Sequence, residues 1–220
     1  MKQNAELFKD CFSNLNVRYK FYALKLAGIC IIAFILQLLI PGFTDLFILS
    51  NSHIIEIWRF VSAIFLHANL GHLIYNLFAL ALFGSILEGA IGSRKFLIVF
   101  FASGILANII GVNFYASSLG ASGAIFGILG ALVVLRPMMV VWVYGLPMPM
   151  IIAGVLWVAI DAIGIFIPSN IGHIAHLSGI ISGLLFGFVF RDWNERREKP
   201  KTRINFDESS LRNWEDIYLR

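Results

Sequence analysis

Six apolar runs, separated by short polar or charged stretches, leave this chain one environment in which to fold. They cover residues 21–40, 70–88, 96–114, 122–135, 148–166 and 174–190. A helix rises about 1.5 Å per residue, so about 20 residues cross a hydrocarbon layer of roughly 30 Å. The fourth run is short for that task. None of the runs alternates as a half-buried strand would, which argues against a membrane barrel. With 59% hydrophobic residues among 220 and a mean hydropathy of +0.81, the chain falls outside the soluble globular class. The expected fold is an all-α membrane protein with six transmembrane helices.

Charge placement gives the same count. Of the 17 Lys and Arg, five precede or open the first run (Lys2, Lys9, Arg18, Lys20 and Lys25). Arg94 and Lys95 follow the second run, Arg136 follows the fourth, and eight lie from Arg191 onward. With six crossings all of these share one face, and Arg59 alone lies on the other. The positive-inside rule makes that common face cytoplasmic and places both termini there. Three segments follow: a cytoplasmic N-terminal stretch (1–20), a six-helix core (21–190) and a charged cytoplasmic tail (191–220).

The net charge of +4 does not call for nucleic acid, because the tail mixes its eight basic residues with seven acidic ones. Such a mixture reads as a solvated segment, with weak attraction of Arg196, Arg197, Lys199, Lys201 and Arg203 to anionic lipid. Cys11 falls on the cytoplasmic side and Cys30 inside the first run, so no structural disulfide is expected. Pro41-Gly42 follows the first run without a small-x-small cleavage site, so that run reads as a retained helix.

Against this apolar background a few polar groups stand out, and polar groups at membrane depth default to a functional role. Ser122 sits in Gly120-Ala-Ser-Gly-Ala-Ile-Phe126. His67, His72 and Asn76 open the second run, while His173 and His176 open the sixth. Ser122 lies 14 residues before Arg136, which puts it about 21 Å above the inner boundary at the helical rise. His176 lies 15 residues before Arg191, or about 22 Å up. His72 and Asn76, counted from Glu88, lie about 24 and 18 Å up. Three helices thus deliver polar groups to one layer in the outer third of the bilayer.

Lateral contact is written in the glycines. Gly123 and Gly127 are four apart, with Gly130 following, and Gly179, Gly183 and Gly187 repeat every four residues. Small residues at this spacing let helices approach closely in lipid. His176 shares the glycine stripe of the sixth helix; His173, on a neighbouring face, is the rival base. Neutral imidazole is suited to take a serine proton near pH 7. Ser122 also opens a helix, so its amide is one of the unpaired donors at the positive end of the dipole. His72 and Asn76, one turn apart, offer side-chain donors to an oxyanion. Phe126, one turn below Ser122, is placed to pack on His176. Asp161 is the sole acid at this height, and a Ser–His dyad is the preferred reading. The chain lacks the G-x-S-x-G elbow and the H-E-x-x-H zinc signature, so neither metal nor cofactor is expected.

In order along the chain, Trp58-Arg59, His67…His72…Asn76, Glu88 with Gly92-Ser93, Gly120-Ala-Ser-Gly123 and Ala175-His176 with Gly179 and Gly183 resemble the rhomboid intramembrane serine proteases. The resemblance covers about 170 residues, to Arg191. It implies a rhomboid-like bundle in which Ser122 is nucleophile and His176 base. His72, Asn76 and the Ser122 amide would form the oxyanion hole, with Gly120 lining it. Where many relatives carry tyrosine, this chain has Phe126. It further implies a partly immersed first loop (41–66), a structural hydrogen-bonding role for Arg59 and a movable fifth helix that admits substrate. The expected activity is endoproteolysis of transmembrane protein substrates near the outer end of their helices, with the bilayer as partner and the plasma membrane as location. The alternative is a catalytically silent relative that binds membrane clients.

Overall fold

The computed structural model describes residues 20–169 and 171–198. Lys2, Lys9, Cys11 and Arg18, and Lys199, Lys201 and Arg203 with the rest of the tail, lie outside the described residues. Six long helices carry the fold: α1 (Tyr22–Leu39), α2 (Leu70–Ile91), α3 (Ser93–Gly111), α4 (Ser122–Leu135), α5 (Met150–Gly164) and α6 (His173–Glu198). The first three, and the apolar part of α6 up to Arg191, are long and apolar enough to cross a membrane; α4 and α5 are shorter.

The exterior is as apolar as the interior. Leu38 and Leu39 on α1, Val155 on α5 and Leu185 and Val189 on α6 are all exposed, which would be a liability in water and is ordinary against lipid. Phe96, Phe100, Ile128 and Leu132 are fully buried between helices. The middle of the bundle belongs to α4, where ten of 14 residues are buried.

Small residues set the approach of α6 to α4. A methyl group on Gly179 would land on the Gly123 carbonyl oxygen, one on Gly183 on that of Gly127, and one on Gly130 on that of Ile180. The obstacle in each case is backbone, which cannot swing aside. Gly183→Ala is therefore expected to lower the thermal midpoint by several degrees, in line with overpacking costs of about 1–3 kcal/mol. Gly28→Ala is the control, since a methyl there meets nothing within 4 Å, and a thermal melt of both variants in one detergent checks the contrast.

Buried polar groups are spent on joining elements. Glu88, fully buried, accepts from the Ala23 amide (3.1 Å) and from the Ser93 hydroxyl; its charge thus sits at the N-terminus of α1, where the dipole favours it. Arg59, also buried, donates Nη1 to the carbonyls of Asp45 (2.6 Å) and Ile48 (2.8 Å) and Nε to Glu56 (2.8 Å), which folds the loop between α1 and α2. On the outer surface of that loop Ile55, Ile57 and Trp58 are exposed. Asn108 donates to the Phe60 carbonyl (2.8 Å), so α3 holds the same loop from within.

Two short sheets were not expected. Leu49–Ser50 pairs with Ser117–Ser118, tying the first loop to the segment that leads into α4. Val140–Val143 and Leu146–Pro149 form an antiparallel hairpin. Its two-residue turn puts Tyr144 and Gly145 at φ of 51° and 81°, as a primed turn requires. Met148 and Pro149 belong to that hairpin, which is why α5 begins at Met150 rather than 148. At the other helix edges, α3 begins at Ser93, three residues earlier than expected, and α2 runs on to Ile91 through a wider turn at Leu80–Gly84.

Candidate active site

The chain enters α2 under tight control. Asn69 is the N-cap, its side chain accepting from the His72 amide at 2.9 Å, which satisfies one of the first-turn donors. Just before it, Gln37 of α1 grips the His67 peptide from both sides, accepting from its amide (2.9 Å) and donating to its carbonyl (3.2 Å). Gln37 is absent from the sequence-based site, although a lone amide inside an apolar run is the kind of signal that could have found it. The His67 ring is buried, with Nδ1 3.2 Å from the Phe65 carbonyl oxygen. Burial first, and the neighbouring His72 second, push its pKa down to about 4, so it is neutral near pH 7.

His72 Nδ1 accepts from the Ala68 amide at 3.4 Å. A neutral imidazole that accepts on one nitrogen carries its proton on the other, so the donor is Nε2. That nitrogen faces Gly120: a methyl there would stand 2.9 Å from it and 2.7 Å from Cε1. Gly120 also has a φ of +120°, and its amide donates to the Ala63 carbonyl (2.8 Å). Both the space and the backbone conformation exclude a side chain at this position.

Ser122 is the first residue of α4, after the N-cap Ala121. Gly123, beside it, faces Ala107 of α3, whose Cβ a methyl would meet at 2.5 Å, and lies within ordinary contact (3.8 Å) of the carbonyl oxygen of Ala175, the residue before His176. Phe126 stacks on the His176 imidazole, with centroids 4.2 Å apart and planes 6° from parallel. Ser122, His176, His72, Asn76, Gly120 and Phe126 all line one cavity of about 1120 Å³. Trp157, Tyr115 and Leu129 line it too. Asn76 is not fully free, since its Nδ2 donates to the His72 carbonyl at 2.7 Å; a second N–H remains.

His173 does not line this cavity with the others. Its ring fills the place a side chain at Gly164 would take, and its Nε2 lies 3.1 Å from the Ser169 hydroxyl. The sequence reading names Asp161 as the acid at this height but prefers a Ser–His dyad; the structure brings Asp161 against both histidines. Asp161 Oδ1 lies 2.6 Å from His173 Nδ1 and 3.1 Å from His176 Nδ1. Asp161, His173 and His176 also form a group whose ligand atoms lie within 4.8 Å of one another, as a metal site would need; the close N···O contacts read as hydrogen bonds.

The chain has relatives among known proteins. The Rhomboid domain family model matches residues 55–193. RHOMBOID-like protein 1 of Arabidopsis thaliana is 33% identical over 153 residues, which cover 68% of this chain and 38% of that protein. Rhomboid protease GluP of Bacillus subtilis (strain 168) is 36% identical over 135 residues, 58% of this chain and 25% of that one. Rhomboid protease GlpG of Serratia proteamaculans (strain 568) is 31% identical over 209 residues, 88% of this chain and 70% of that one.

Proposed function

This chain belongs to the rhomboid family of integral membrane proteins, and from that premise we propose that it is an intramembrane serine endopeptidase acting on transmembrane protein substrates. The observation that carries the reading is the single cavity lined by Ser122, His176, His72, Asn76 and Gly120, contributed by α2, α4, α6 and the loop before α4.

In this mechanism Ser122 Oγ attacks a peptide carbonyl while its proton passes to His176 Nε2. The new C–O bond leaves the former carbonyl oxygen negative. His72 Nε2–H, the remaining N–H of Asn76 and the Ser122 amide are the donors that stabilise it. His176 then returns the proton to the leaving amine as the C–N bond breaks. Water, deprotonated by the same imidazole, releases the acyl group and regenerates the hydroxyl. A helical substrate hides its carbonyls in its own hydrogen bonds, so the cleaved segment must first unwind. Phe126 keeps the ring packing that a tyrosine would give.

The proposal includes six crossings with both termini cytoplasmic, a core over residues 21–190 and a plasma-membrane location. The short α4 is compatible with this because it is buried among longer neighbours and need not match the lipid thickness itself. Supporting this orientation, six crossings put 16 of the 17 Lys and Arg of the sequence on one side, as the positive-inside rule asks of a cytoplasmic face.

The test is cleavage in liposomes. The purified full chain, reconstituted with a single-span reporter, is expected to yield two fragments whose new termini map near the outer end of the reporter helix. An uncut reporter that co-purifies with the chain would instead favour a silent client-binding protein.

A further inference from the structure

We propose that Asp161 is a positioning residue for the catalytic base, making the reacting unit Ser122–His176–Asp161 rather than a pair. The inference rests on the assignment of Ser122 and His176 under the proposed function.

Asp161 is buried on α5, and a carboxylate removed from water needs donors. It has two, since His173 and His176, three residues apart at the start of α6, both turn Nδ1 toward its Oδ1. A carboxylate can only accept, so both Nδ1 atoms carry protons and His176 Nε2 is left with a bare lone pair. That is the tautomer a general base requires. His173 is consistent with the same assignment from its other side. The Ser169 hydroxyl oxygen accepts from the Ile171 amide at 3.3 Å, which leaves its proton to donate to His173 Nε2 at 3.1 Å.

Phe126 alone does not orient the imidazole. A parallel ring at 4.2 Å fixes the plane of His176 but tolerates rotation within that plane. A hydrogen bond to Nδ1 removes the remaining freedom, and with it the choice of which nitrogen reaches the cavity. When Ser122 gives its proton to Nε2, the imidazolium keeps its Nδ1–H on the carboxylate; Asp161 stabilises that charge without taking a proton. A link that merely pinned α5 to α6 would not need to select the nitrogen opposite the reacting one.

Two measurements decide the matter, both on the full chain in lipid. In reporter cleavage, Asp161→Asn is expected to lower kcat about a hundredfold at unchanged KM; a kcat within threefold of the parent overturns the proposal. In nitrogen-15 spectra of histidine-labelled parent protein, with the His176 signal assigned by its loss in His176→Gln, resting His176 is expected to be protonated at Nδ1. Protonation at Nε2 overturns the proposal without recourse to any Asp161 variant, so a failure of Asp161→Asn to fold leaves the question answerable. Turnover by Ser122→Ala would sink the underlying assignment instead, and is read in the same assay.

Discussion

Ser122→Ala is expected to reduce reporter cleavage at least about 10⁴-fold, to the uncatalysed background, while the protein melts within a degree or two of the parent. The first half follows from chemistry: Ser117, Ser118 and Ser169 also line the cavity, but the proposal gives none of them the imidazole that activates Ser122, and knocking out the nucleophile of a serine hydrolase removes nearly all of the rate. The second half follows from structure. Ser122 opens α4, but the N-cap is Ala121, and no side-chain cap bond is made there. Ser122 is therefore not the cap of this helix, and alanine keeps the helical propensity. Lost activity with an intact melt separates a chemical role from a structural one. Cleavage assayed beside a thermal melt of the same preparation gives both halves.

His176→Ala is expected to be as inactive, though not as harmless. The change removes a ring from the Phe126 stack and one of two donors from a buried carboxylate, so the melt should fall as well, by an amount consistent with about 1–3 kcal/mol. His173→Ala is the informative contrast. It also loses a donor to Asp161, and at 2.6 Å the closer one, yet its ring lies away from the cavity against Gly164. Turnover should survive within about tenfold. Equal inactivity of both variants would mean that the network, rather than a single base, had been disrupted; activity in His176→Ala would rule out its role as base.

Much of this was legible in the residues, and the reasons are specific. Helices in lipid bury no alternating face, so their signature is the unbroken apolar run, and those runs located all six helices, with edges within a few residues except at the end of α6, which continues through charged residues to Glu198. The approach of α4 to α6 was readable because glycine at four-residue spacing has little other use in lipid, and Gly183 against the Gly127 carbonyl is that contact. Depth counting brought Ser122, His176, His72 and Asn76 to one level because helical rise is nearly constant.

What stayed hidden depends on direction rather than depth. Asp161 was recognisable as an acid at the right height, but its reach to His176 depends on how α5 leans against α6, and no local pattern encodes that. Asn76 could be placed on its helix, though not its bond to the carbonyl one turn back. The 140–149 hairpin escaped because Val140, Val141, Trp142 and Val143 are all apolar: the alternation exists in burial and is invisible in polarity. Gln37 was missed since its partner is a backbone 30 residues away.

The central claim is that Ser122 is made nucleophilic by His176, and covalent labelling reads it most directly. The parent protein in detergent is treated with a fluorophosphonate probe, digested, and the modified residue located by mass spectrometry. The adduct is expected on Ser122 alone, and its formation should be at least about a hundredfold slower in His176→Ala, because an unassisted hydroxyl reacts poorly. An unlabelled Ser122, or labelling at the same rate in the absence of the imidazole, would contradict the account.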